Sequence, residues 1–176
     1  MHEIFLAPLE FASNSFLEKI RGELSKLFTS PVNYLKIAID LESAYSRERN
    51  QFYSTAIISK AAEQASAIKG NIILLLQSDL YVPVLTYVFG EAQLNGNLSV
   101  VSLCRLHEEF YTGISNENLL LQRVLKEILH ELGHNYGLFH CRKWECVMHS
   151  SSGIEEVDIK GDFFCNECIS AIKILK

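Results

Sequence analysis

HELGHNYGLFH, residues 130–140, places two histidines four positions apart. Residues at i and i+4 lie one above the other on an α-helix, so the imidazoles of His130 and His134 can both reach one zinc ion. Glu131 is rotated by about a hundred degrees from His130 around the helix axis, which favours contact with a water rather than with the metal. The spacing therefore predicts two zinc ligands and a general base on one helix.

The residues that follow supply a third ligand. Gly137 can adopt a positive φ and turn the chain sharply, which brings His140 back toward the other two histidines. Three protein ligands leave the fourth position of a tetrahedral zinc ion open to water, as catalysis requires. The alternative is an accidental spacing of histidines on a helix, and the added glycine and third histidine make this longer pattern far more specific than H-E-x-x-H alone.

Four of the five cysteines follow this motif. They are Cys141, Cys146, Cys165 and Cys168, and the last two have the C-x-x-C spacing of a structural zinc site. Four thiolates fill a tetrahedral zinc ion, so this predicted site is closed to substrate. The alternatives are two disulfides, which a secretory signal would favour and a reducing compartment does not, or unligated thiols.

The two predicted metal sites are neighbours in the chain. His140 and Cys141 are consecutive, and adjacent Cα atoms are only about 3.8 Å apart. A cysteine fixed at position 146 holds Met148 two residues away, where its thioether can pack beneath the histidines. The alternative for Met148 is an ordinary methionine of the core.

A long helix is predicted around the motif, over residues 116–136. Ser115 or Asn116 is predicted to cap its N-terminus. Apolar residues recur at steps of four, three and four and predict a core stripe: Leu121, Leu125, Ile128 and Leu132. A second face carries polar residues at the same steps: Arg123, Glu127, His130 and His134.

The residues before this helix alternate between strand and helix patterns. Apolar runs predict strands at 3–8, 32–41 and 71–77, separated by helices at 15–28 and 55–69. Crossovers of this length favour parallel strands and an α/β layer. Strands at 84–91 and 98–106, joined by the turn residues 94–97, predict a hairpin that makes the sheet mixed, with 84–91 as the edge where substrate could lie.

Composition limits the classes of protein. The chain has 176 residues, 48% of them hydrophobic, which suits one globular domain. Its longest aliphatic run is residues 72–76, too short to span a membrane, and a net charge of −5 disfavours nucleic acid as a partner. The N-terminal residues lack the basic region of a signal peptide. We expect a monomeric, cytoplasmic protein that acts on a peptide or protein substrate, with no nucleic acid and no membrane partner.

Residues 130–140 followed by Met148 resemble the metzincin signature H-E-x-x-H-x-x-G-x-x-H with its Met-turn. The cysteine pattern C-x4-C-x-M, followed by C-x-x-C, resembles the archaemetzincins. Upstream, residues 89–92 and 100–106 resemble that family's segment before the active-site helix, and residues 49–52, Arg-Asn-Gln-Phe, resemble its R-x-Q-aromatic element.

The resemblance implies an α/β (α+β) zincin fold with a mixed, mostly parallel twisted sheet, a long active-site helix and a small zinc-stabilised C-terminal subdomain. It implies a single catalytic domain over residues 1–176, with approximate subdomains at 1–137 and 138–176. It also implies peptide-bond hydrolysis with two zinc ions per chain, one catalytic and one structural. The implied roles are catalytic zinc ligands for His130, His134 and His140, general base for Glu131, structural zinc ligands for Cys141, Cys146, Cys165 and Cys168, and the Met-turn for Met148.

Two other classes of protein remain as alternatives. The first is a non-catalytic, zinc-stabilised peptide-binding module, but such a module gains nothing from a base beside an open metal position. The second is a zinc-ribbon-like interaction protein that uses only the four cysteines. That reading leaves the three histidines without a role.

Overall fold

Strands and helices alternate through the first half of the chain, and short helices and loops follow the long helix. The computed structural model describes residues 3–11 and 14–175. The strands are β1 (Ile4–Pro8), β2 (Val32–Tyr34), β3 (Tyr45–Ser46), β4 (Gln51–Tyr53), β5 (Asn71–Leu76), β6 (Leu80–Tyr81), β7 (Gly90–Ala92) and β8 (Leu98–Ser102). The α-helices are α1 (Asn14–Phe28), α2 (Ser54–Ala65), α3 (Glu109–Thr112), α4 (Glu117–Asn135), α5 (Ile154–Ile159) and α6 (Asn166–Leu175), and residues 42–44 and 104–106 form 3-10 turns.

The main sheet has five strands in the order β2-β1-β5-β8-β7. All of its pairings are parallel except that of β7 with β8, so the predicted mixed, mostly parallel sheet is confirmed. Central strand β5 is buried along its whole length, as is typical of a parallel strand covered on both faces by helices. The antiparallel strand β7 forms one edge of the sheet.

Helices cover both faces of this sheet. Alternate residues of β5 face opposite sides, because successive side chains of a strand point in opposite directions. Ile73 and Leu75 pack in one cluster with residues of α1 and α4. Ile72, Leu74 and Leu76 pack with α2 on the other face. The long helix α4 therefore lies directly against the sheet.

Two predicted strands are shorter than expected. Of residues 32–41, only β2 forms a strand, because alternate apolar side chains from Leu35 to Leu41 pack toward α2 without a strand partner. Of residues 98–106, only β8 is extended, so the prediction that Cys104 lies in a strand is wrong. The hydroxyl of Ser102 accepts a hydrogen bond from the Cys104 N–H at 3.1 Å and turns the chain into a 3-10 helix.

The predicted edge strand at 84–91 is largely wrong. Only its end, in β7, pairs with the main sheet, and residues 82–89 form an irregular segment with an isolated bridge between Val88 and Leu80. Pro83 has no N–H to offer a ladder, and Val84 and Leu85 are exposed. A second sheet of three short strands, β3-β4-β6, lies beside this segment. Strands of two or three residues have no readable periodicity, so the sequence did not predict them.

The long helix agrees with its prediction at both ends. The Asn116 side chain caps α4 by accepting the Leu119 N–H at 3.1 Å, and Gly137 follows the helix at φ +86°. The polar face of α4 is buried rather than solvated. Arg123 and Glu127 are each only 3% exposed, and they pair with Asp158 and Lys160 of the C-terminal segment.

Residues 138–175 are fastened to α4 by apolar packing as well as by charge. Leu129 of α4 joins a cluster with Leu138, Val147, Met148 and buried cysteines. Among residues 3–11 and 14–175, no helix has the length and apolar character needed to cross a membrane.

Candidate active site

Three imidazoles converge at the C-terminal end of α4. The helix places His130 and His134 on one face, and the turn at Gly137 returns His140 beside them. One ring nitrogen from each histidine lies within 4.8 Å of the others. The Nε2 atoms of His130 and His134 are 3.2 Å apart, close to the edge of about 3.3 Å that two nitrogens span on a tetrahedral zinc ion.

The backbone orients the first two rings. Nδ1 of His130 donates to the Val147 carbonyl, and Nδ1 of His134 donates to the Leu138 carbonyl, both at 2.8 Å. These bonds fix the tautomer, so that Nε2 carries the free lone pair that a metal needs. Burial lowers the pKa of both imidazoles, that of His130 well below its ordinary value. Neutral rings with their Nε2 atoms together fit a zinc ion.

The side chain of Glu131, on α4, packs against the edge strand β7. A β-carbon built on Gly90 would come within 2.6 Å of its Oε1 atom, so the strand makes room for this carboxylate by having a glycine there. Burial raises the pKa of Glu131 well above its ordinary value, the nearby Glu127 adds to the rise, and Lys160 opposes it. The site therefore contains a carboxyl group that takes up a proton readily.

These groups open onto one cleft of about 620 Å³. Its floor contains His130, Glu131, His134 and His140, with the ion pair of Glu127 and Lys160 alongside. One wall comes from residues 82–94 and the other from Ser150–Ser152. A second cavity of about 610 Å³, beside Asn135, contains none of the predicted metal ligands.

The four cysteines form a separate cluster. Their sulfur atoms all lie within 4.8 Å of one another, with Cys141 and Cys165 3.9 Å apart and Cys146 and Cys168 3.7 Å apart. A tetrahedral zinc ion separates two thiolates by about 3.8 Å, whereas a disulfide needs about 2.05 Å. The cysteines are not disulfide-bonded, and their geometry suits a closed metal site.

Comparison with known proteins assigns this chain to a peptidase family. The model of peptidase family M54 matches residues 14–174. The chain belongs to peptidase family M54. The archaemetzincin of Methanocaldococcus jannaschii is 34% identical over 97% of this chain and 92% of its own, and that of Thermococcus kodakarensis is 40% identical over 72% of this chain and 68% of its own.

Solved structures agree with the M54 assignment. The archaemetzincin of Methanopyrus kandleri has a TM-score of 0.82 and 31% identity, and covers 99% of this chain and 94% of its own. A zinc-dependent peptidase from Methanocorpusculum labreanum has a TM-score of 0.85 and 26% identity, over 96% of this chain and 99% of its own. The predicted archaemetzincin resemblance and fold class are confirmed, and the chain is a zinc metallopeptidase. The reading as a non-catalytic binding module is not supported.

In this M54 chain, a short segment joins the two clusters. Cys146 belongs to the cysteine cluster, while the carbonyl of the next residue, Val147, orients His130. The side chain of Met148 lies on the helix backbone at Gly133, where an added β-carbon would come within 2.2 Å of its sulfur. The Met148 carbonyl accepts the Cys141 N–H at 2.9 Å.

Sequence reasoning missed several residues that shape the M54 site. Gly90 and Gly133 give room to Glu131 and Met148, and only their places within recognised motifs hinted at this. Lys160 carries a fully buried ammonium 2.7 Å from the Glu127 carboxylate. No local pattern predicts that pairing, because the two residues are 33 positions apart. His149 is half-buried and donates through Nδ1 to the Cys141 carbonyl at 3.0 Å.

Proposed function

We propose that this peptidase uses Glu131 as general base, with its catalytic zinc held by His130, His134 and His140. One observation carries the proposal. The buried carboxylate and the three converging imidazoles share the floor of a single cleft. A base beside an open metal position is the arrangement that hydrolysis by an activated water requires.

The residues then have distinct tasks. When bound, zinc supplies Lewis-acid chemistry, which polarises a carbonyl and makes water more acidic. Glu131 takes the proton of the attacking water and passes it to the amine that leaves when the peptide bond breaks. Its raised proton affinity lets it hold that proton between the two steps. The low exposure of Glu131, 4%, keeps bulk water from taking the proton instead.

The cysteine cluster has a structural role in this proposal. Cys141, Cys146, Cys165 and Cys168 hold a second zinc ion, so that each chain binds two. Met148 is the Met-turn residue beneath the histidines. The chain then acts as one catalytic domain, in which residues 138–176 form a small subdomain braced by this metal against residues 1–137.

Substrate lies extended in the cleft, along the free edge of β7. Only one side of β7 pairs with β8, so its other side can bond to the main chain of a peptide. This narrows the predicted substrate edge from residues 84–91 to Gly90–Ala92. A monomeric state, and the absence of nucleic acid and membrane partners, stay predictions.

The test replaces Glu131 by Gln, which keeps the shape of the side chain and removes the base. We expect kcat to fall by about 10² to 10⁴-fold while the zinc content is unchanged, since Glu131 is not a ligand in this proposal. Mass spectrometry of peptide-library cleavage and metal analysis provide the two readouts. Glu155→Gln, at an exposed position, is the matched control. Full turnover by Glu131→Gln with zinc bound would remove Glu131 from this role.

A further inference from the structure

The irregular segment 82–88 forms part of one wall of the cleft, yet little apolar burial holds its tip. Val84 is 87% exposed and Leu85 53% exposed. Within the segment, one turn is closed by the Leu85 N–H and the Val82 carbonyl at 3.0 Å. Loops with so few buried contacts open readily, so something else must hold this wall in place.

Arg49 and Gln51 bind this segment and are not among the residues that line the cleft. Arg49 Nη2 donates to the carbonyl of Leu85 at 2.6 Å and to that of Thr86 at 3.2 Å. Gln51 Nε2 donates to the same Thr86 carbonyl at 2.9 Å. The two side chains thus grip consecutive carbonyls of the exposed tip. We call segment 82–88 the rim and this pair the clamp.

The clamp itself is fixed in one geometry. The Gln51 amide is fully used, because its Oε1 accepts from Arg49 Nε at 3.1 Å and its Nε2 also donates to Asp79 at 2.9 Å. The Arg49 guanidinium lies 4.4 Å from the centre of the Tyr81 ring. These residues belong to the small sheet and its turns. In that sheet, strands β4 and β6 pair directly with each other.

The same network continues to the opposite wall. Asp79 forms a two-pronged ion pair with Arg105, whose guanidinium lies 4.0 Å from the centre of the Tyr87 ring. The Tyr87 hydroxyl donates across the cleft to the Ser152 carbonyl at 2.8 Å. The rim is therefore tied at its tip by the clamp and at its base by Tyr87.

We infer that Arg49 and Gln51 are positioning residues for substrate capture, which hold the rim so that it and β7 present one continuous wall to the peptide. The inference rests on the proposed function, since it takes the cleft beside β7 as the place where peptide binds. Within the described part of the chain, the clamp side chains donate to the rim, to Asp79 and to Leu80, and not to Glu131 or the histidines. A loose rim lowers the fraction of enzyme ready to bind, which raises KM and leaves the chemical step unchanged.

The test replaces Arg49 by Met, which keeps the aliphatic stem and removes every donor. We expect KM for an internally quenched peptide to rise about tenfold, kcat to stay within about twofold, and zinc content to stay unchanged. Hydrogen exchange of the rim amides should become faster. Arg49→Lys keeps one charged donor and should recover part of the loss in KM, because it can still reach one of the two carbonyls.

Arg21→Met is the matched control, because Arg21 also lies over a tyrosine ring and pairs with a carboxylate, but on α1. It should change neither KM nor rim exchange. The inference is overturned if Arg49→Met lowers kcat at constant KM, or leaves both KM and rim exchange unchanged. Failure of Glu131→Gln to reduce turnover contradicts the proposed function instead, and the KM comparison among the Arg49 variants remains valid.

Discussion

The histidine cluster and the cysteine cluster adjoin in sequence and differ in almost every physical respect. His140 is exposed at a cleft and the histidines offer three ligands, whereas three of the four cysteines are buried and offer a complete tetrahedral set. The first arrangement leaves room for a substrate, and the second leaves none. Under the proposed assignment, the ligand count and the surrounding packing, rather than the metal, decide whether a zinc site is catalytic or structural.

The largest expected effect comes from breaking each cluster in turn. Under the proposed assignment, Cys146→Ala removes a buried ligand of the closed cluster. We expect loss of the structural metal and cooperative unfolding of residues 138–175, because binding of a structural zinc contributes about 10 kcal/mol or more of folding free energy. His134→Ala should abolish peptidase activity while the fold persists. Thermal unfolding, zinc content and turnover are measured for both variants. If His134→Ala melts as low as Cys146→Ala, the division into reactive and bracing sites is wrong.

Local geometry explains why the sequence predicted the histidine cluster so fully. His130, His134 and His140 lie within eleven residues, and helical periodicity with one glycine turn places them. The approach of Gly90 to Glu131 joins residues 41 positions apart, and nothing in either segment alone encodes it. The burial of the polar face of α4 was missed for the same reason, since it depends on the C-terminal segment folding back over that face.

The length of each strand and the partners available to it explain which strands were predicted. The strand β5 has six residues, five of them apolar, and was predicted correctly, whereas the strands of the small sheet have two or three residues each. The apolar run beginning at Val84 has the composition of a strand, but Pro83 and the clamp direct its backbone elsewhere. Composition indicates what a segment can form, and the partners available to it decide what it does form.

An intermediate effect is expected where the two clusters meet. Gly133→Ala would place a methyl group 2.2 Å from the Met148 sulfur, and Met148 is fully buried, so the chain must move. Overpacking of this kind costs about 1–3 kcal/mol, and a shift of residues 146–148 also displaces the carbonyl that orients His130. We expect lower stability and weaker zinc retention together.

Gly22→Ala is the control for this substitution. Gly22 is also a helical glycine, but an added β-carbon there meets nothing within 4 Å. It should stabilise the protein by about 0.5–1 kcal/mol, because alanine is the better helix former. Urea unfolding and zinc release to a chelator separate the two variants. A Gly133→Ala protein as stable as Gly22→Ala would show that Met148 does not couple the clusters.

The smallest expected effect is a difference in the number of protons that zinc binding releases from the two clusters. Burial lowers the pKa of His130 and His134, so at pH 7.5 these rings are already neutral and zinc displaces no proton from them. Burial raises the pKa of Cys146 and Cys168, which stay protonated in the metal-free protein, so zinc must displace at least those two protons. Zinc affinity of the cysteine cluster should therefore rise about tenfold per pH unit for each proton released. That of the histidine cluster should rise by at most about tenfold per pH unit above pH 7, because only a zinc-bound water has a proton to lose there.

Calorimetric zinc titrations in buffers of different ionisation enthalpy measure this release, and His134→Ala should release at most one proton fewer than the unaltered chain. A release smaller by two or more protons would place titrating protons on the histidines and remove the predicted difference in how the two sites respond to pH.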